Sequence, residues 1–148
     1  MDFQLHRYEP SLKPFFRDIN LEWLSEFYKV TEEDEKILMH PEKIMEEGGE
    51  VLFISLNKEI IGTCALVRMN AETVELIKMG VLKKYRGTGA GDFMLECVLN
   101  EAKRMNAKVI SLETAKELKA ALGLYKKHGF SQTSLEETHP LFGRCTFH

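Results

Sequence analysis

The residues whose types and spacing point most directly to chemistry are Arg86, Gly87, Thr88, Gly89, Ala90 and Gly91. Three glycines fall within residues 87–91. From Ala90 onward Phe93, Met94, Cys97, Val98, Ala102 and Met105 recur at helical spacing, with Asp92, Glu96, Asn100, Lys103 and Arg104 on the opposite face. The glycines therefore stand at a helix N-terminus. There the missing side chains leave the backbone approachable, and the first turn carries unpaired N–H groups and a positive partial charge. That combination binds anions, most naturally phosphate. A P-loop would need Lys-Ser or Lys-Thr after its last glycine, and Asp92 and Phe93 stand there instead. A dinucleotide fingerprint would place glycines first, third and sixth, whereas Gly87, Gly89 and Gly91 alternate. A glycine-rich turn ahead of an ordinary core helix is the alternative reading of the same residues.

Arg86-Gly87-Thr88-Gly89-Ala90-Gly91 resembles the Arg/Gln-x-x-Gly-x-Gly/Ala signature of the GNAT family of N-acetyltransferases, whose loop holds the pyrophosphate of acetyl-coenzyme A. Ala121-Leu122-Gly123-Leu124-Tyr125-Lys126-Lys127-His128-Gly129-Phe130 resembles that family's second signature, Ala-x-x-Leu-Tyr-x-x-x-Gly-Phe. The resemblance runs from about Phe3 to Phe147. It implies an α/β (α+β) acyl-CoA acyltransferase fold, a central mixed, mostly antiparallel sheet flanked by helices. It also implies acetyl-CoA as cosubstrate, no metal, and direct transfer of the acetyl group to a primary amine in a ternary complex. In the family the strand before the loop offers backbone groups to the pantetheine arm, which maps to Met79, Gly80 and Val81 here. A strand glycine such as Gly80 often marks close approach of another chain. One departure stands out: many members have an asparagine seven residues before the signature tyrosine, where this chain has Leu118, so no contact of that amide carries over.

Acyl transfer from a thioester to an amine needs a neutral nucleophile, a polarised carbonyl and a proton for the departing thiolate. Tyr125 is the expected general acid, because a phenol of pKa about 10 stays protonated at neutral pH and can donate to a thiolate of about 8.5. A tyrosine that only packs and makes one hydrogen bond is the competing reading. Glu75 is the expected base, acting through water, on the strand leading to the loop and in phase with Ile77 and Met79. An exposed glutamate, or one paired with Lys78 or Arg68, is its alternative. Arg86 adjoins the anion turn and is the expected phosphate partner ahead of Lys83, Lys84, Lys126 and Lys127. His128, just before Gly129, suits a helix-end cation and is given no chemical role. Cys64, Cys97 and Cys145 are odd in number and lie in apolar patterns, so they read as reduced core thiols rather than disulfides, zinc ligands or nucleophiles.

These residues need a frame to hold them. A chain of 148 residues, 44% apolar and 29% charged, fits a single domain over residues 1–148. A net charge of −3 and a pI near 6.0 supply no basic field for nucleic acid. Residues 1–7 lack a leader layout and no apolar run reaches membrane length, so a soluble cytoplasmic protein is expected.

Alternation predicts a strand over Phe3–Tyr8, followed by a helical region over Leu12–Phe27 that Asp18-Ile19-Asn20 is placed to interrupt. Thr31 and Pro41 announce two short helices ending at Gly48-Gly49. Strands over Val51–Leu56 and Ile60–Val67 pair across Asn57-Lys58-Glu59, and a third over Thr73–Leu82 feeds the glycine loop. Beyond the loop helix, Lys108–Leu112 forms a strand parallel to the third. Thr114–Glu117 then opens a helix stopped by Gly129, and Phe130–Leu135 and Leu141–Phe147 end the chain as strands.

The carboxylates from Glu32 to Glu47 read as a solvated face rather than a funnel for a cationic acceptor. The acceptor class is a small-molecule amine or a peptide or protein amine, and exposed strand edges leave a homodimer open. A non-catalytic acyl-CoA-binding regulatory module is the rival function, motivated by Leu118 and by the two readings of Glu75.

Overall fold

The computed structural model describes residues 2–27, 29–114, 119–132 and 141–146. Strand β1 (Phe3–Arg7) leads through a 3-10 turn at Pro10–Leu12 into helix α1 (Lys13–Phe27). The helix runs unbroken, so the interruption expected at Asp18–Asn20 does not occur. Asn20 is fully buried, donates from Nδ2 to the Phe16 carbonyl at 2.8 Å and accepts from Trp23 Nε1 at 2.8 Å. Both ends of its amide find partners on the helix itself, which removes the usual conflict between asparagine and a helix interior. Thr31 caps α2 (Glu32–Met39) in a reciprocal box with Asp34. Pro41 precedes α3 (Glu42–Glu46), and Gly48, at φ +91°, turns the chain towards β2 (Glu50–Leu56).

β2 and β3 (Glu59–Arg68) are joined by Asn57 and Lys58 alone, both left-handed at φ 51° and 69°, while Glu59, expected in the loop, opens β3. The Asn70 side chain accepts from the backbone N–H groups of Glu72 and Thr73 and bends the chain into β4 (Thr73–Val81). Helix α4 (Ala90–Arg104) crosses to β5 (Val109–Thr114), followed by α5 (Lys119–Lys127), β6 (Ser131–Gln132) and β7 (Leu141–Thr146). The expected cap over Thr114–Glu117 falls mostly, and Leu118 and Phe147 fall wholly, outside the described residues.

Among the described residues the strands form one sheet in the order β1-β2-β3-β4-β5-β7-β6, in which only β4 and β5 pair in parallel. Helices cover both faces. On one, Leu12, Phe16, Leu24, Leu38 and Ile44 pack on Val51, Phe53 and Ala65. On the other, Met94, Leu95, Val98 and Ala102 pack on Leu52, Ile54, Leu66, Val74, Leu76 and Ile110. Removing apolar surface from water on both sides is what holds this three-layer arrangement together.

The register between β3 and β4 slips once. Ala65 faces Ile77 and Thr63 faces Gly80, so Cys64 alone opposes two residues, Lys78 and Met79. This is a β-bulge, and Lys78 takes left-handed backbone at φ 51°. The expected common phase of Glu75, Ile77 and Met79 is therefore broken. Ile77 packs with the α1 side of the sheet, whereas Met79 and Val81 pack with the α4 side. Immediately before the bulge β4 also loses its neighbour on the β5 edge. Pairing with β5 ends at Leu76 and Leu112, while β5 continues along β7 to Thr114. The sheet thus splits where β4 bends.

Candidate active site

The split opens at the carboxyl end of β4, where the chain passes through a second 3-10 turn, Lys83–Tyr85, into the glycine loop and α4. Clefts at the carboxyl ends of parallel strands, beside a crossover, are where α/β sheets take ligands. Gly87 and Gly89 have φ values of 79° and 94°, backbone that disfavours any other residue. Around Gly87 nothing lies within 4 Å of where a Cβ would stand. Gly89 is the N-cap of α4 and supplies no side-chain cap, which leaves the first-turn N–H groups to an external acceptor. The loop is closed from within by Thr88, whose hydroxyl donates to the Tyr85 carbonyl at 2.6 Å.

Asp92 brings a negative charge into this same first turn. Lys127 Nζ at 2.9 Å and His128 Nε2 at 2.8 Å engage the same carboxylate oxygen. Together they hold the Asp92 carboxyl below its ordinary pKa. They also fasten the end of α5 to the start of α4.

The other candidate residues divide between ligand-facing and structural positions. Met79, Gly80 and Val81 lie on the stretch of β4 that keeps β3 on one edge but has left β5 on the other, along the split. Gly80, however, is demanded by a neighbour inside the fold: an added Cβ would stand 2.4 Å from Trp23 Cδ1 and 2.6 Å from Trp23 Nε1. The close approach suggested by a strand glycine is thus that of the α1 indole. Gly91 likewise makes room for α5, since its Cβ would meet Leu124 Cδ2 at 2.8 Å. Ala90 is buried beneath the first turn.

Tyr125 is half-buried, packs against the α4-side core and tilts against Phe130 with ring centroids 5.8 Å apart. Burial pushes its phenol up to about 12, and the nearby Cys64 thiol adds to the shift. Cys64 faces the bulge from β3, so the phenol and the bend in β4 share one neighbourhood. The Cys64 thiol is itself raised by burial, and its Sγ contacts Met94 Sδ at 3.6 Å, which fits a core thiol rather than a nucleophile. Glu75 pairs with Ser111 one residue before the split. Alternation puts it on the α1 side with Ile77, across the sheet from Tyr125.

Sequence reasoning missed two sets of contacts. Lys78, on the bulge, pairs with Asp34, and the two side chains are 14% and 19% exposed. Burial raises the Asp34 carboxyl, but Lys78 and the Thr31 hydrogen bonds outweigh it and leave it below its ordinary value. The same carboxylate therefore caps α2 and anchors the bend of β4. The second set joins α1 to the glycine loop. Glu22 accepts from the Lys83 backbone N–H at 2.6 Å, and Glu26 engages Arg86 Nη1 at 3.2 Å. A lysine within an apolar strand and two glutamates spaced four apart were the available signals, although neither names its partner.

Comparison with known proteins identifies the family and the fold that hold this cleft and helix N-terminus. The chain belongs to the Acetyltransferase (GNAT) family, whose pattern matches residues 15–130. Among curated relatives, Probable N-acetyltransferase 14 of Xenopus tropicalis is 37% identical over 76 residues, spanning 51% of this chain and 37% of that protein. The match thus covers little more than a third of that relative's length. An acetyltransferase of the GNAT family from Staphylococcus aureus Mu50 superposes with a TM-score of 0.87 at 24% identity, covering 99% of this chain and 100% of that one. A GNAT family acetyltransferase from Elizabethkingia anophelis, solved with acetyl-CoA bound, gives a TM-score of 0.76 at 20% identity, with 98% of each chain covered. These structural likenesses establish the fold.

Proposed function

We propose that this protein transfers an acetyl group from acetyl-CoA to a primary amine by direct attack in a ternary complex. The observation that carries this reading is the N-terminus of α4, which no side chain caps, beside the stretch of β4 whose β5-side edge is open. The loop N–H groups take the pyrophosphate, and the open backbone edge of Met79–Val81 takes the amides of the pantetheine arm. The thioester then lies near the bend of β4, between Glu75 on one face and Tyr125 on the other.

Tyr125, with its phenol pushed up to about 12, stays protonated throughout the working pH range. A phenol so weakly acidic does not fully surrender its proton to a thiolate of ordinary pKa about 8.5, so its contribution is a hydrogen bond to sulfur as charge develops. Glu75 receives the amine proton through water.

Thermal melts with acetyl-CoA, CoA and ATP test the cofactor assignment. A ligand that binds only the folded state raises stability by RT ln(1 + [L]/Kd), so both CoA species should shift the melt more than ATP does. Gly89→Glu should abolish that shift while keeping a native circular dichroism spectrum, because it adds a side chain at φ 94° and a negative charge beside the phosphate. Equal shifts from ATP and acetyl-CoA, or full CoA binding by Gly89→Glu, would refute the assignment. Turnover against a panel of small amines and peptides then separates an enzyme from a binding module.

A further inference from the structure

We infer that Glu26 is an internal competitor for the cofactor's phosphate at Arg86 and thereby sets the affinity for acetyl-CoA, an inference that rests on reading the glycine loop as the phosphate site. Glu22 and Glu26 occupy the last two turns of α1, which carries no basic residue in its final turn. Carboxylates at a helix C-terminus oppose the helix dipole, and like charges four residues apart repel. Helix stability therefore gives no reason for either residue. Their contacts with the loop do.

The two contacts differ in kind. Glu22 accepts from the Lys83 backbone N–H at 2.6 Å and so fastens the loop's entry turn to α1. Glu26 reaches side-chain cations instead, with Oε2 3.2 Å from Arg86 Nη1 and Oε1 3.8 Å from Lys83 Nζ. It thus sits between two positive charges that precede the glycine turn. A phosphate arriving at the turn must either share Arg86 with this carboxylate or displace it. The Arg86 and Glu26 side chains are 35% and 31% exposed. An ion pair so open to water is weak enough to exchange and strong enough to register in a binding constant. Exchange would also release the end of α1, the helix whose Trp23 lies against Gly80 on the strand beside the split.

Calorimetric dissociation constants for acetyl-CoA and for S-acetylpantetheine, which has no phosphate, test this on the parent protein, Glu26→Gln, Arg86→Gln and the double variant. Glu26→Gln should tighten acetyl-CoA by about two- to fivefold, the range for an exposed ion pair, and leave S-acetylpantetheine unchanged. The gain should shrink in the Arg86→Gln background. A purely structural tether would do the opposite, loosening the loop and weakening acetyl-CoA. Unchanged or weakened binding by Glu26→Gln overturns the inference, as does equal tightening of both ligands or an undiminished gain without Arg86. If the parent protein binds acetyl-CoA no better than S-acetylpantetheine, the phosphate site itself fails and this inference falls with it.

Discussion

Replacing Gly80 by alanine separates two reasons for a glycine in β4. The new methyl carbon would lie 2.4 Å from Trp23 Cδ1 and 2.6 Å from Trp23 Nε1. Comfortable contact is about 3.5–4.0 Å, so the indole must retreat by roughly 1 Å. That retreat stretches the 2.8 Å hydrogen bond from Trp23 Nε1 to Asn20, a residue with no exposed surface. Overpacking costs about 1–3 kcal/mol, and leaving a buried acceptor unsatisfied about 1–3 kcal/mol more. Partial relaxation makes the sum less than additive, so about 2–4 kcal/mol is expected. For a chain of this size that corresponds to roughly 5–15 °C in melting temperature.

Denaturant unfolding of Gly80→Ala, Trp23→Leu and the double variant isolates the clash. Both Trp23→Leu proteins lack the indole donor, so the alanine should cost at least about 1 kcal/mol less when the indole is absent. If Gly80→Ala kept parental stability but lost acetyl-CoA affinity, the glycine would be serving the ligand and the packing argument would be wrong.

Tyr125→Phe should keep acetyl-CoA affinity and lower kcat by about 10²–10³-fold, the effect of losing one hydrogen-bond donor to developing charge; parental single-turnover rates would leave Tyr125 a packing residue. Glu101 is 2% exposed, and although burial raises its carboxyl, Arg104 and Arg7 together hold it below the ordinary value. A depressed folded-state pKa contributes stability that is present above the unfolded carboxylate value of about 4.3 and lost as pH falls through the folded value. Glu101→Gln should therefore cost about 1–3 kcal/mol at pH 7, discounted because both arginines are half exposed, and the difference from the parent should narrow in unfolding curves below about pH 4.

The conformation of the glycine loop was legible in the sequence because it is tied to residue type: only glycine holds φ values of 79° and 94° at ease, and helical spacing locates the following N-terminus. The helix that carries Tyr125 was legible through the spacing of Ala121, Leu122 and Tyr125, and the order of strands through alternation and turns. The bulge was not, because Lys78 takes a left-handed backbone that nothing in its type announces. The unbroken α1 was misjudged for a related reason. Asn20 disfavours a helix by competing for backbone groups, and its burial against Trp23 turns that tendency into a support. The Glu26 contact with Arg86 spans sixty positions in the chain, a separation at which charge pattern carries no pairing information.

The bend of β4 has a consequence for chain length. Shortening a strand by one residue ordinarily throws every later side chain onto the wrong face. Here Lys78 is the surplus residue, since Cys64 faces it and Met79 together. Without Lys78, Ile77 would still point to the α1 side, Met79 and Val81 to the α4 side, and Gly80 to Trp23. Both cores would survive a deletion in the middle of a central strand. What would vanish is the kink, leaving β4 straight enough to zip onto β5 beyond Leu76. The opening in this sheet is thus carried by a single surplus residue, whose fixing point is Asp34 at the start of α2 rather than either core.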